Sequence, residues 1–337
     1  MSILTDSPRG EITRTFVETG AWRGGVKLRL PLIVVRGVEP GPTLAVSAAQ
    51  HGREVAGIAA IERALGQIDP TRLRGTLALL PVMNPLAVRM RRQDYPFEHG
   101  RYARSVEINL NRHWNGTGNY PLWSAVAEAV KREVLSEADA LVDIHGWSPG
   151  TVGMAWAPTE QLDLLKATGF EFIRDQGPIE KLDRPELLGN WFRMQGKMAV
   201  TFELGTQNIF AEHHIERGRR PIANVARHLG LLDSPPEWPE AQYLFGPSSD
   251  NVRTTAAHEG LVVFDVPKGA FLTAGQRVYR VVSLETLETL ETVTAPMDAV
   301  VVFQHTVPAE NMPISALCEP GELVCELTAP VETVRRG

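Results

Sequence analysis

A chain of 337 residues with 43% hydrophobic and 22% charged residues has the make-up of an ordinary globular protein, with room for a full core and a second small domain. A net charge of −6 and a pI near 5.9 leave no electrostatic footprint for nucleic acid. The polar start, MSILTDSPRGEITRT, lacks the apolar stretch of a secretory signal, and no run approaches the roughly 18 apolar residues of a membrane span. Cys318 and Cys325, seven apart, fit neither a zinc spacing nor a disulfide framework. The expectation is a cytoplasmic protein with no nucleic-acid and no membrane partner. The sequence leaves open association into a homo-oligomer.

In chain order, short apolar, β-rich runs at Leu32–Val35, Thr43–Ser47, Thr76–Val82, Ala140–Ile144 and Met198–Phe202 read as buried strands. Helical patterns lie between them. EVAGIAAIERALGQI places Val55, Ile58, Ala59, Ile61 and Leu65 near a 3.6-residue period, and YPLWSAVAEAVKREVLSEADA behaves alike. TEQLDLLKATGF and IANVARHLGLL are shorter candidates. Strands alternating with helices predict an α/β sheet covered on both faces over residues 1–235. Prolines 235, 236 and 239, followed by Gly246-Pro247, mark a linker or crossover. Beyond it, residues 250–332 carry short strands with Gly-, Pro- and Asn-rich turns, as in a small β-barrel or sandwich. The repeat LETLETLET, residues 284–292, fits no helix face and reads as a hairpin region without chemistry.

Several strands of the first domain end in residues capable of chemistry. Thr43–Ser47 leads to Gln50, His51 and Glu54; Ala140–Ile144 contains Asp143 and leads to His145; Met198–Phe202 leads to Glu203. In open α/β sheets ligands sit beyond the carboxyl ends of strands. His51 and Glu54, three apart at a helix start or its preceding turn, project to one side and can reach one ion. With His145 they form a His₂Glu set, suited to a catalytic zinc with one open position. Glu203, outside that set, is the candidate base. Alone, His51 and Glu54 read equally well as a helix N-terminus with an acid favoured by the dipole. Asp143 alternates with His145 on one strand face, which suits a residue supporting the ligand. The stretch RYARSVEINLNRHWNG adds Arg101, Arg104, Asn111 and Arg112 in a loop, and arginine's planar fork suits carboxylates. Asn84-Pro85 reads as a strand-ending turn.

In order, HGREVAG, NLNR, VDIHG and TFELG resemble the motifs of the succinylglutamate desuccinylase/aspartoacylase family, within the zinc carboxypeptidase-like superfamily. The likeness spans roughly residues 43–232, and the late β-rich segment is similar to the small β domain these proteins append. The resemblance implies a zinc-carboxypeptidase-like mixed sheet covered by helices, with a small C-terminal all-β domain. It implies one Zn²⁺ per chain on His51, Glu54 and His145, with Glu203 as general base and proton shuttle. It implies that Asn111 and Arg112 bind a substrate carboxylate and that Arg101, or else Arg104, polarises the scissile carbonyl. The chain departs from the family at Arg53, where an acid is common, and at HWNG, where Phe-Pro-Gly usually follows the arginine. Both departures are expected to line the pocket rim and to bear on substrate choice.

The activity implied is hydrolysis of the amide bond of a small N-acyl amino acid, with succinyl, acetyl or an aspartate-derived amide all compatible. Deacetylation of an N-acetylated diamino acid is among the activities of related proteins. Two other readings stand beside it. One is a zinc carboxypeptidase acting on short peptides. The other is a metal-free binding or carrier module, because TAPMDAVVVF is faintly similar to biotinyl- and lipoyl-carrier domains; the hairpin there has no lysine to modify. The β domain is expected to pack beside the active-site mouth and exclude long peptides.

Overall fold

The computed structural model describes residues 2–23, 26–94, 97–98, 101–102, 108–118, 120–147, 150–207, 210–305 and 316–335. At its centre lie β3 (Glu39–Ala48), β4 (Arg74–Leu80), β5 (Ala140–Trp147) and β8 (Met198–Thr206), side by side and parallel in the order β4-β3-β5-β8. The runs of small and branched apolar residues in these strands are buried on both faces, as parallel strands require. On one side the sheet continues antiparallel into β2 (Val26–Arg36) and β1 (Glu11–Arg23). On the other it continues into β6 (Met154–Ala157), β7 (Phe172–Asp175) and β9 (Ala241–Phe245). Among the described residues the sheet has ten strands; the tenth is Glu332–Arg335, on the far edge beside β9. The stretch expected as a linker therefore contributes β9, and the end of the chain returns to the first sheet.

One face packs Ala45, Leu141 and Ala199 against α2 (Pro121–Val130) and α4 (Leu188–Met194), with Trp123, Val126 and Phe192 fully buried. The other packs Val46, Val142 and Val200 against α1 (Ala56–Leu65) and α5 (Glu212–His228). A short helix packed against α5, α3 (Leu162–Ala167), falls within TEQLDLLKATGF. The pattern IANVARHLGLL is the end of α5, whose first ten residues carry Gly218 and Pro221 and so hide the helical period. Gly218 has a steric reason. A Cβ there would lie 2.6 Å from the Ala60 side chain, so its absence lets α5 approach α1.

The C-terminal part contains two four-stranded antiparallel sheets. Thr289–Thr294 pairs with Arg277–Val282, so the LET repeat does form a hairpin, with Leu287 left-handed at its turn. Strand Ala299–Gln304 reaches the first domain. Val152 N–H donates to Val302 O at 3.1 Å and Gln304 N–H to Gly150 O at 2.9 Å. Val152, Met154, Phe172, Phe245, Val300 and Val302 form the apolar seam between the two parts. Among the described residues no helix is long and apolar enough to cross a membrane.

The α1–α5 contact sets two effects against each other. Gly218→Ala gains about 1 kcal/mol of helix propensity but overpacks a filled contact, which costs about 1–3 kcal/mol. Urea unfolding should show a net loss of about 1 kcal/mol, turned into a gain in an Ala60→Gly background. A more stable single variant would show that the helices do not touch there.

Candidate metal centre

The site is assembled at the carboxyl ends of β3, β5 and β8. Ser47 stands opposite Asp143 and Glu203 opposite His145 in the strand register. After β3 the backbone turns sharply at Ala49, a non-glycine residue at φ 53°. Its strain, about 1–2 kcal/mol, is held by Met83 N–H on Ala48 O and Asn84 N–H on Ala49 O, both 3.0 Å. Asn84, read from sequence as a turn residue, also caps the short helix Pro85–Met90 and donates to Gln50 O at 3.2 Å. Gly52 presses on that helix: a Cβ would lie 2.2 Å from the Ala87 carbonyl carbon, so no other residue fits. His51 and Glu54 thus sit in a rigid turn before α1.

His51, Glu54 and His145 are buried, and one ligand atom from each lies within 4.8 Å of the others. His51 Nδ1 is 2.7 Å from Glu54 Oε1, and His145 Nδ1 is 3.0 Å from Glu54 Oε2. The far nitrogen of each imidazole has its own partner. His51 Nε2 lies 3.1 Å from Asn109 Oδ1, which already accepts Asn111 N–H and so presents an oxygen. His145 Nε2 lies 3.0 Å from Asp143 Oδ2. Both rings are therefore held through Nε2 with Nδ1 facing the shared carboxylate. Two imidazoles and one carboxylate, each imidazole backed by an acceptor, is a donor set that fits zinc. Gln207 adds a long contact, Nε2 to Glu54 Oε1 at 3.4 Å.

Charge in the cluster is set by burial and by mutual attraction. For His51 and His145 burial alone would lower the pKa, but Glu54 beside His51, and Asp143 and Glu54 beside His145, raise both above 6.5. Burial pushes Glu54 up, and the two histidines outweigh it and hold it below the usual carboxylate range. Glu203 is the opposite case. Burial raises it well above 4.5, Glu54 and Asp143 add to the rise, and His145 opposes it. Its Oε2 has no hydrogen-bond partner among the described residues.

Of the other expected site residues, Asn111 is brought to the cluster. Its Nδ2 is 3.4 Å from His145 Nε2, and its Oδ1 accepts Leu188 N–H at 2.8 Å. Arg112 is half-buried, donates to Asn111 O at 2.7 Å and has Nε 4.0 Å from Glu186 Oε1. Burial and nearby Arg184 lower its pKa. Arg101 belongs to a two-residue strand paired with Phe97–Glu98, and its side chain lies outside the described residues; Arg104 lies outside them altogether. Trp114 corrects an expectation. It does not line a rim but is fully buried, with its indole N–H 2.9 Å from Gln50 Oε1. Sequence reasoning gave no role to Gln50, Ser47 or Asn109; the signals available were the adjacency of Gln50 to His51, the place of Ser47 at the end of its strand and the nearness of Asn109 to Asn111.

The model of the succinylglutamate desuccinylase/aspartoacylase catalytic domain matches residues 40–229. The chain belongs to this family. The desuccinylase/aspartoacylase motifs thus coincide with the strand ends just described. A curated relative, the N-alpha-acetyl-L-2,4-diaminobutyric acid deacetylase of Halomonas elongata, is 25% identical over 272 residues, covering 78% of this chain and 76% of that one. The fold matches the product-bound ectoine utilization protein EutE (DoeB) of Ruegeria pomeroyi with a TM-score of 0.74 at 22% identity, covering 95% of this chain and 96% of that one. It matches a succinylglutamate desuccinylase from Silicibacter sp. TM1040 equally well, with a TM-score of 0.74 at 20% identity and 95% of each chain covered.

Protonation of the cluster gives a test. A histidine with a raised pKa contributes its stabilisation fully below the unfolded value of 6.5 and loses it as pH climbs through the folded value. Glu203, raised above 4.5, acts in the same direction, whereas Glu54 loses its contribution as pH falls below 4.5. Chelator-treated protein should therefore melt higher at pH about 5.5 than at pH about 8.5, and excess zinc should reverse the trend because it competes with protons for the same nitrogens. Equal melting temperatures at both pH values in chelator would show that these pairs do not form in solution.

Proposed function

We propose that the protein is a zinc-dependent hydrolase that cleaves the amide bond of a small N-acyl amino acid. The observation that carries this reading is the convergence of His51, Glu54 and His145 within 4.8 Å, with the buried carboxylate of Glu203 on the next strand level with His145. His51 and His145 would hold the ion through Nδ1 and Glu54 through its carboxylate. When bound, zinc supplies Lewis-acid polarisation of the amide carbonyl and lowers the pKa of water toward ~7. Glu203 accepts the proton of the attacking water and passes it to the leaving amine. Its raised pKa suits both halves of that transfer, since a strongly acidic carboxylate is a poor base near neutrality. Asn111 Nδ2 and the Arg112 fork hold the substrate carboxylate, and Arg101 steadies charge building on the carbonyl oxygen.

Membership of the family and the activity of the Halomonas elongata relative support an acyl amino acid as substrate. The β domain supports a small one. It docks on residues 150–152, soon after His145 and Trp147, and in our reading it narrows the mouth of the site.

Two measurements test the reading. Glu203→Gln should keep about one zinc per chain and lose about two to four orders of magnitude in kcat on N-acyl amino acids. Near-normal turnover would remove Glu203 from the chemistry. C-amidated N-acyl amino acids should be about 10- to 100-fold poorer in kcat/KM than the free acids, because the guanidinium of Arg112 is left unpaired, and Arg112→Lys should erode the difference. Equal values for both substrates on the wild type would give the Asn111–Arg112 pair another role.

A further inference from the structure

Behind the metal cluster lies a chain of hydrogen bonds with only one consistent direction. Trp114 is fully buried and its indole N–H is a donor with no acceptor. It meets Gln50 Oε1 at 2.9 Å. That contact fixes which end of the Gln50 carboxamide faces which way, since a flipped amide would set NH₂ against N–H. Gln50 Nε2 is then aimed at Asp143 Oδ1, 2.9 Å away, and Ser47 Oγ donates to the same oxygen at 2.7 Å. With Oδ1 saturated by two donors, Oδ2 is left to accept from His145 Nε2 at 3.0 Å. His145 therefore carries its proton on Nε2 and turns Nδ1 to Glu54.

His145 Nε2 has two other neighbours, Gln50 Nε2 and Asn111 Nδ2, both at 3.4 Å. Each has its oxygen engaged elsewhere, by Trp114 N–H and by Leu188 N–H, so each offers His145 an N–H. Two donors facing Nε2 would pull a lone pair onto that nitrogen and the proton onto Nδ1, the wrong tautomer for a ligand. The shorter contact to Asp143 decides against this, and Gln50, donating beside Ser47 to Asp143 Oδ1, keeps Asp143 turned for it.

We propose that Trp114 and Gln50 are positioning residues for the metal: the indole N–H sets the orientation of the Gln50 amide, which holds Asp143 so that His145 offers Nδ1 to the ion. The inference rests on the metal reading above. It gives a function to Trp114, which lies in the HWNG stretch.

The test is zinc affinity, measured by competition with a chromophoric chelator, beside the unfolding midpoint of each chelator-treated protein. Trp114→Phe and Gln50→Met should each weaken zinc about 10-fold or more. Because Trp114 acts through Gln50, Trp114→Phe should cost no further affinity in the Gln50→Met background. Val126→Ala, a cavity in the same core cluster but away from the chain of bonds, should lower the unfolding midpoint and leave zinc affinity unchanged. The cobalt-substituted Trp114→Phe protein should show an altered visible spectrum, reporting a changed ligand. Unchanged zinc affinity in Trp114→Phe, additive losses in the double variant, or an equal loss in Val126→Ala would each overturn the proposal. Should Trp114→Phe fail to fold, Gln50→Met, which keeps the indole, decides alone: unchanged affinity overturns the proposal and a 10-fold loss supports it. A wild type that binds no zinc would instead remove the metal reading itself.

Discussion

The level at which three parallel strands end governs the whole site. Ser47 on β3 is opposite Asp143 on β5, and His145 on β5 is opposite Glu203 on β8. Because side chains alternate along a strand, these register pairs put Ser47, Asp143, His145 and Glu203 on one face, in two successive rows. A slip of one residue in the first pairing would turn Ser47, and in the second Glu203, into the opposite core. The apolar residues between them, Ile144 and Phe202, oppose such a slip, since each is buried among the side chains of α1 and α5. The packing of the far face therefore fixes the chemistry of the near one.

Much of this was legible in the sequence. The central strands are short runs of apolar residues, and buried parallel strands look like that wherever they occur, so each was visible and the polar residue at its end stood out. His51, Glu54, His145 and Glu203 could be named for that reason. Of the outer strands only part of β2, Leu32–Val35, was legible. Glu11–Arg23 mixes charged, polar and apolar residues without a regular alternation, and Met154–Ala157 and Phe172–Asp175 are too short to show a period. Helix α4 was missed because its start, Leu188-Gly189-Asn190, carries none of the usual helix-start signals; Gly189 is accommodated by the close approach of Thr201, 2.7 Å from where its Cβ would stand. The supporting roles of Gln50 and Trp114 were not legible for another reason. Their roles depend on which way an amide points, and that is decided by partners 64 and 93 residues distant in the chain.

Glu54 and Glu203 are the same residue type, buried alike, at the ends of neighbouring elements, and their environments drive them in opposite directions. Glu54 lies between two imidazole nitrogens and stays ionised; Glu203 resists ionisation because burial, reinforced by Glu54 and Asp143, outweighs the pull of His145. Such a divergence separates a carboxylate suited to hold an ion from one suited to take and release a proton. The ligand role proposed for Glu54 and the shuttle role proposed for Glu203 need this division.

The balance of charge also bears on which ion suits the site. Burial opposes ionisation of Glu54 and Asp143, but their histidine neighbours outweigh it and hold both below the usual carboxylate range, so the pair brings two negative charges to the cluster. A divalent ion needs both imidazoles neutral, and its two positive charges then balance those two carboxylates, so the ion and the four groups sum to zero. A monovalent ion would leave the cluster one charge short, and a trivalent ion would leave it one charge over, in surroundings where unbalanced charge is expensive. Asp143 belongs to that count although it touches no ion in this scheme. Replacing it with asparagine would remove a negative charge from the buried sum as well as an acceptor from His145. The hydrogen-bond chain that holds Asp143 in place therefore secures the electroneutrality of the centre as well as the geometry of one ligand.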